Sequence, residues 1–173
     1  MSQIPLSPAE REAVLYARLR DLGIAWKTYE HVPVFTVEES AAVSDAIPGG
    51  HTKNLFLKDK KDRLWLIVVR AHLRIDLNAL AKALHAPRYS FGSAELLAAT
   101  LGIEPGSVTP FALMNDAEHR VTPILDSVLL EFDPVNFHPL RNDRTTAISP
   151  ADLVRFVKAC GHGPIIAPIP EVA

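Results

Sequence analysis

Cysteine is nearly absent from this chain of 173 residues, in which Cys160 stands alone. No intrachain disulfide can form, which is typical of proteins from a reducing compartment. No apolar run approaches the roughly 20 residues that span a bilayer. Residues 1–12 also lack the basic and apolar segments of a secretory signal. We therefore expect a cytoplasmic protein with no membrane partner.

The chain has little excess charge of either sign. It carries 18 lysine and arginine residues against 20 aspartate and glutamate residues, a net charge of −2. A protein that grips duplex DNA along its length needs a broad positive field, and this composition does not supply one. The composition excludes long duplex DNA as a partner, but leaves open a local pocket for one nucleic-acid end.

Several motifs of well-known enzyme classes are missing. The sequence has no Gly-x-Gly-x-x-Gly turn, no phosphate-binding loop and no Gly-x-Ser-x-Gly nucleophile elbow. Its seven histidines are dispersed, without the spacing that a local zinc site requires. Cys160 is expected near a helix C-terminus, where the helix dipole disfavours a thiolate. We expect no cofactor and no metal.

The most informative stretch is a predicted β-hairpin with polar residues at its mouth. Gly49 and Gly50 form a tight loop, Lys53 and Asn54 follow, and residues 55–58 alternate as a strand does. Residues 59–62 read as a turn and residues 63–69 as the returning strand. Strands hold their side chains in place, so Lys53 and Asn54 are candidates to face a ligand.

The rest of the chain predicts short helices between further strands. Capping residues begin helices at Ser7, Thr36, Asp76, Ser93 and Ser149. Further strands are predicted at residues 25–31, 89–92, 111–114, 121–125, 127–132, 145–148 and 165–167, with an irregular segment at 133–140 and a frayed tail. Without linkers or repeats, residues 1–173 are expected to form a single domain. Its expected class is α+β (mixed α/β), a largely antiparallel curved sheet or barrel with helices packed outside.

Three ordered motifs carry a resemblance to a known family. They lie at residues 50–57 (Gly-His-Thr-Lys-Asn-Leu-Phe-Leu), 106–110 (Gly-Ser-Val-Thr-Pro) and 136–139 (Asn-Phe-His-Pro). Together they resemble the YbaK-type aminoacyl-tRNA editing domains, which are similar to the editing insertion of bacterial prolyl-tRNA synthetase. Within that group the chain is most similar to free-standing prolyl-tRNA-editing proteins. The resemblance implies the editing-domain fold and covers nearly the whole chain.

The resemblance also implies roles for individual residues. Lys53 matches the lysine that positions the terminal adenosine through its phosphate, Asn54 matches a polar residue of the pocket, and His138 matches a histidine on the opposite wall. These three are the expected catalytic residues. The expected substrate-binding residues are Thr52, Gly106, Ser107, Val108, Thr109 and Pro110.

The implied activity is hydrolysis of the ester that joins an amino acid to the tRNA 3′ end, with mischarged Ala-tRNA(Pro) as the expected substrate. The aminoacyl-tRNA acceptor end is then the partner, and prolyl-tRNA synthetase is a second one. Two alternatives stay open. The same fold could edit Cys-tRNA(Pro) or Ser-tRNA, or it could be a non-catalytic module that binds tRNA or another nucleic acid.

Overall fold

The computed structural model describes residues 5–34 and 36–172. The described helices are α1 (Pro8–Asp21), α2 (Val37–Ala46), α3 (Leu77–Ala83), α4 (Ala94–Leu101) and α5 (Pro150–Ala159). The described strands are β1 (Lys27–Glu30), β2 (Thr52–Asp59), β3 (Leu64–Arg70), β4 (Tyr89–Phe91), β5 (Val121–Asp126), β6 (Val135–Phe137), β7 (Arg144–Ile148) and β8 (Ile165–Ala167). None of these helices is long and apolar enough to cross a membrane.

A five-stranded sheet in the order β4-β2-β3-β5-β8 forms the centre of the fold. The predicted hairpin is confirmed, since β2 and β3 pair antiparallel with Thr52 opposite Arg70 and Lys58 opposite Leu64. Strand β4 adds antiparallel to β2, whereas β5 and β8 continue the sheet in parallel. The hairpin therefore lies inside the sheet, and its first strand leads directly from the Gly-Gly loop.

Strand β3 separates two hydrophobic clusters. Leu64, Leu66 and Val68 pack into the larger cluster with helices α1, α4 and α5. The alternate residues of the strand pack on the opposite face, into a smaller cluster that includes α3. Burial on both faces explains why this strand is apolar at nearly every position rather than alternating with polar residues.

A second sheet of three strands, in the order β1-β7-β6, lies beside the Gly-Gly loop. A bridge between Gly50 and Val135 connects the two sheets. The Gly50 amide donates to the Pro134 carbonyl at 2.8 Å, and the Asn136 amide donates to the Gly50 carbonyl at 3.0 Å. These bonds fix the start of β2 against β6, and so bring two of the three sequence motifs together.

Local sequence signals correctly predicted the helix starts. Ser7 and Glu10 form the expected capping box, and Leu15 and Leu19 are buried on the inner side of α1. Thr36, Asp76, Ser93 and Ser149 each cap the next helix through a side-chain oxygen. The side chain of Arg11 ties α1 to the segment after α4, through hydrogen bonds to Glu104 at 2.8 Å and to the Gly102 carbonyl at 3.0 Å.

Two predicted strands are wrong. Residues 111–114 belong to a 3₁₀ helix, Pro110–Asn115, whose first turn is capped by Thr109. Proline at the first helical position and a threonine cap before it favour a helical turn over a strand. Residues 127–132 contain a short 3₁₀ helix, Leu129–Glu131, instead of a strand. Phe111, Ala112 and Leu113 of the first segment and Leu129 of the second are buried in the core, and burial alone does not distinguish a strand from a helical turn.

Two segments are more ordered than the sequence predicts. Residues 133–140 contain strand β6, which forms the edge of the second sheet. The C-terminal segment, predicted to be frayed, is held by the burial of Ile169 and by the Val172 amide, which donates to the Arg74 carbonyl at 3.0 Å. Both segments are held in place by residues that are far away in the sequence.

The predicted α+β class is confirmed. Of the six described strand pairings, four are antiparallel and two are parallel. Within the described residues the strands form two open sheets and do not close into a barrel.

Candidate functional site

A cleft of about 470 Å³ opens where the start of β2, helix α2 and two loops meet. It collects side chains that are far apart in the sequence. From the predicted set it is lined by Thr52, Lys53, Asn54, Gly106, Val108 and His138, and it is also lined by Val34, Thr36, Ser40, Ala41, Ser44, Ala71 and His72. Lys53 and His138, which are 85 residues apart in the sequence, thus line the same cavity.

The first residues of β2 present a polar edge to this cleft. The Thr52 hydroxyl donates to the Asn136 carbonyl at 2.7 Å, which fixes the side chain against β6. The Asn54 amide nitrogen lies 3.5 Å from the Thr52 hydroxyl oxygen. The Asn54 carbonyl oxygen is buried and has no hydrogen-bond partner among the described residues. A buried acceptor without a partner is unusual in a folded protein.

Lys53 lies at one wall of the cleft. Its ammonium donates to the Leu73 carbonyl. A lysine ammonium has three protons, so two remain for a ligand. Burial lowers the pKa of Lys53. A bound anion would favour the charged form of this amine, so the position suits a phosphate.

His138 has a defined tautomer. Its Nδ1 lies 2.9 Å from the Arg144 carbonyl oxygen, which can only accept, so Nδ1 carries the proton. The lone pair is then on Nε2. Burial lowers the pKa of His138 and outweighs the opposing effect of the Arg144 hydrogen bond, so the neutral ring is favoured. The histidine can therefore accept a proton at Nε2.

The loop at residues 106–110 contributes to the cleft by alternate residues. Gly106, whose φ is +93°, and Val108 line the cavity. Ser107, Thr109 and Pro110 are buried in the protein and do not line it. Thr109 accepts a hydrogen bond from the Phe111 amide at 3.3 Å, so its hydroxyl serves the 3₁₀ helix. These three residues shape the loop, and a direct substrate contact from them stays a prediction.

A recess of about 60 Å³ adjoins the cleft. It shares Thr52, Asn54 and His138 with the cleft, and Asn136 and Thr145 also line it. It is much smaller than the cleft, about 60 Å³ against about 470 Å³. A group that enters this recess must be small.

Sequence reasoning missed the contribution of helix α2 and of Asn136. Ser40 and Ser44 of α2 line the cleft, but the Thr36 cap predicts only that a helix begins, and not what it covers. The Asn136 side-chain nitrogen donates to the Pro48 carbonyl at 3.1 Å and to the Gly50 carbonyl at 3.3 Å. Asn136 therefore positions the Gly-Gly loop. Its place two residues before His138 was the available signal.

The described residues contain no group of three His, Cys, Asp or Glu side chains that could hold a metal ion. The cleft instead combines a cation, a neutral histidine base and an unpaired amide oxygen. Such a set can bind an anionic group, accept a proton from water or a hydroxyl, and orient a small polar substrate.

The model of the aminoacyl-tRNA editing domain matches residues 31–156, which is more than half of the chain and includes all three motifs. The chain belongs to the aminoacyl-tRNA editing domain family. The resemblance drawn from the three motifs is thereby confirmed.

Relatives of this editing domain are similar over nearly their full length. A prolyl-tRNA synthetase associated domain-containing protein 1 from Bos taurus is 41% identical over 166 residues, which cover 93% of this chain and 96% of the relative. The prolyl-tRNA editing protein ProX of Acetoanaerobium sticklandii is 35% identical over 153 residues, which cover 88% of this chain and 93% of the relative.

A solved structure of a proposed trans-editing enzyme for prolyl tRNA synthetase is similar in fold, with a TM-score of 0.72 and 21% identity. The match covers 96% of this chain and 99% of the solved one. At this identity the likeness supports the fold alone.

Proposed function

We propose that this protein is a trans-editing hydrolase that removes alanine from mischarged Ala-tRNA(Pro). The observation that carries the proposal is the shared cleft, in which Lys53 and His138 lie within an editing-domain fold. The names of the relatives point to prolyl-tRNA, and we propose an association with prolyl-tRNA synthetase on the same ground.

In the proposed reaction, water attacks the carbonyl carbon of the aminoacyl ester. The bond from that carbon to the ribose oxygen breaks, the amino acid leaves as a carboxylic acid, and the ribose oxygen takes up the other proton of the water to become a hydroxyl. His138 Nε2 is free to accept a proton from the water or from the neighbouring ribose hydroxyl. An aminoacyl ester is already activated, so a site that orients water and substrate needs no serine nucleophile.

Lys53 is proposed to hold the phosphate of the terminal adenosine. Its backbone lies at the fixed end of β2 and its ammonium is anchored on the Leu73 carbonyl, so the charge is held at one point of the wall. Fixing the phosphate fixes the ester relative to His138. Such positioning accelerates a reaction because the loss of translational freedom has already occurred on binding.

The recess beside His138 supports a selection by size. A synthetase site built for proline discriminates against a smaller amino acid by only about 1–3 kcal/mol for each missing methylene. A second pocket that admits alanine and rejects proline corrects that error. At about 60 Å³, the recess lined by Asn136, His138 and Thr145 is the candidate for this pocket.

The test is a deacylation panel on purified protein. We expect release of alanine from Ala-tRNA(Pro), and much slower release of proline from Pro-tRNA(Pro). Cys-tRNA(Pro) and Ser-charged tRNA distinguish the other editing activities of this fold. Equal rates on all four substrates would refute the size selection, and binding of tRNA without release of any amino acid would favour a non-catalytic module.

Lys53→Ala is expected to lower kcat/KM for Ala-tRNA(Pro) by about tenfold or more, since a charge-assisted contact to phosphate contributes at least about 1.5 kcal/mol. Lys58→Ala is the matched control, because Lys58 lies on the same strand at its far end. Unchanged kcat/KM in Lys53→Ala would exclude Lys53 from the mechanism.

A further inference from the structure

A second cavity, of about 360 Å³, lies beside the cleft and is not used by the proposed chemistry. Ala71 and His72 line both cavities, so the two are neighbours. The second cavity is also lined by Gly50, Arg70, Phe132 and Glu171. A flexible polymer that occupies the cleft can continue into it past His72.

Phe132 gives this cavity an exposed aromatic surface. The residue is 45% exposed although it is large and apolar. It packs directly on the backbone of Gly50, where an added Cβ atom would lie 2.7 Å from the Phe132 Cβ. Gly50 is itself held by hydrogen bonds to Pro134 and Asn136. An aromatic ring supported by fixed backbone is a surface on which a nucleobase can stack.

Two charged groups flank the aromatic ring. Arg70 Nε donates to the buried carboxylate of Asp126 at 2.8 Å, which fixes the guanidinium at the cavity. Glu171 lies on the C-terminal segment that the Val172 amide holds on Arg74. A carboxylate accepts hydrogen bonds from the exocyclic amine of cytosine, and a guanidinium can donate to base oxygens or to phosphate.

Lys53 lies at the wall between the two cavities. It lines the cleft, and its ammonium donates to the carbonyl of Leu73, a residue that lines the second cavity. A phosphodiester held by Lys53 would therefore join a nucleoside in the cleft to a nucleoside in the second cavity. The cleft, the Lys53 ammonium and the second cavity thus follow the order of the terminal nucleoside, its phosphate and the preceding nucleoside at an RNA 3′ end.

We propose that the second cavity binds the nucleotide that precedes the terminal adenosine of the tRNA, with its base stacked on Phe132. Transfer RNAs end in cytidine, cytidine, adenosine, so that nucleotide is a cytidine, whose amine faces Glu171. The inference rests on the proposed function, because it takes the terminal adenosine to occupy the cleft.

Binding of uncharged RNA tests the proposal. The affinities of the trinucleotide CCA and of adenosine 5′-monophosphate are measured by calorimetry on the full chain. We expect the trinucleotide to bind at least about tenfold more tightly, the effect of one stacked base. Phe132→Leu, which keeps packing on Gly50 but lacks an aromatic face, is expected to reduce this advantage to about threefold or less. Phe132→Tyr is expected to retain it.

Phe91→Leu is the matched control, since Phe91 is 65% exposed on edge strand β4 and lines neither cavity. Equal affinity of the wild-type protein for the two ligands would overturn the proposal. A Phe132→Leu variant that still binds CCA at least about tenfold more tightly than adenosine 5′-monophosphate would also overturn it. The same holds if Phe132→Tyr or Phe91→Leu reduces this ratio as much as Phe132→Leu does. CCA carries no amino acid, so this binding test is independent of catalysis. If the protein binds CCA as expected but releases no alanine from Ala-tRNA(Pro), the proposed function is refuted and the proposed subsite is not.

Discussion

The chemistry available to His138 depends on one hydrogen bond and on burial. The Arg144 carbonyl fixes the proton on Nδ1 and leaves Nε2 as an acceptor, while burial lowers the pKa of the ring. The motif Asn-Phe-His-Pro predicts that His138 lies on a wall of the pocket. The tautomer could not be predicted, because Arg144 reaches His138 only through the pairing of β6 with β7.

The pH dependence of deacylation tests the role of His138. If neutral Nε2 accepts a proton, kcat/KM is constant above the pKa of His138 and falls as the ring becomes protonated. Since burial lowers that pKa below its usual 6.5, we expect the midpoint of the decline to lie below pH 6.5. His138→Gln is expected to lower kcat/KM by about 10²-fold or more and to abolish the acid decline.

The control for this profile is His85→Asn. His85 is exposed, lines neither cavity and has a φ of +53°, which asparagine tolerates. An acid decline that persists unchanged in His138→Gln would assign the titration to another group.

At the scale of elements, the Gly-Gly loop positions the start of β2 and thereby the cleft. Gly49 has a φ of +108°, and an added Cβ atom would lie 2.6 Å from the Pro134 carbonyl oxygen. A tight loop could be read from the two glycines and Pro48. The sequence did not predict that the loop packs on β6, because residues 133–140 carry no regular strand pattern.

Gly49→Ala tests this packing. Backbone strain and the close approach to Pro134 are expected to lower the free energy of unfolding by about 2 kcal/mol. Denaturant unfolding measures the change. Gly163→Ala is the control, because Gly163 has no atom within 4 Å of the added carbon and no positive φ. Equal stability of Gly49→Ala and the wild-type protein would contradict the described junction between the sheets.

Across the molecule, a buried hydrogen bond connects the segment after α5 to the turn before β5. His162 Nε2 donates to the Asp116 carboxylate at 2.9 Å, and both side chains are buried. Burial alone would raise the pKa of Asp116, but hydrogen bonds from His162 and from the amides of Val121 and Arg120 lower it overall. Neither residue belongs to a motif, so this contact could not be predicted from the sequence.

This pair predicts the response of the fold to acid. The pKa of Asp116 is lower in the folded protein than its ordinary value of 3.8. Ionised Asp116 therefore contributes fully to the free energy of unfolding at pH values well above 3.8. This contribution is lost as the pH falls through the pKa of the folded protein. Asp116→Asn is expected to lower the free energy of unfolding at neutral pH by about 1–3 kcal/mol. It should also make the loss of stability below about pH 4 shallower.

Asp62→Asn is the control, because Asp62 is exposed and, among the described residues, pairs only with Lys58 at 4.0 Å. An acid profile of Asp116→Asn that parallels the wild-type profile would show that the pair does not govern acid stability.

Local sequence signals were enough to predict the helix starts, the hairpin and the family. Capping residues fixed the helix starts, alternation and a turn fixed the hairpin, and three motifs carried the resemblance that the family match confirms. Which residues meet in the cleft depends on long-range packing. Gly106 and Val108 line the cleft whereas Ser107, Thr109 and Pro110 are buried, and α2 lies on the cleft with Phe132 in the neighbouring cavity. Capping and alternation could be predicted because they act between neighbours in the chain. The cavity could not be predicted, because it forms between surfaces that only long-range pairing brings together.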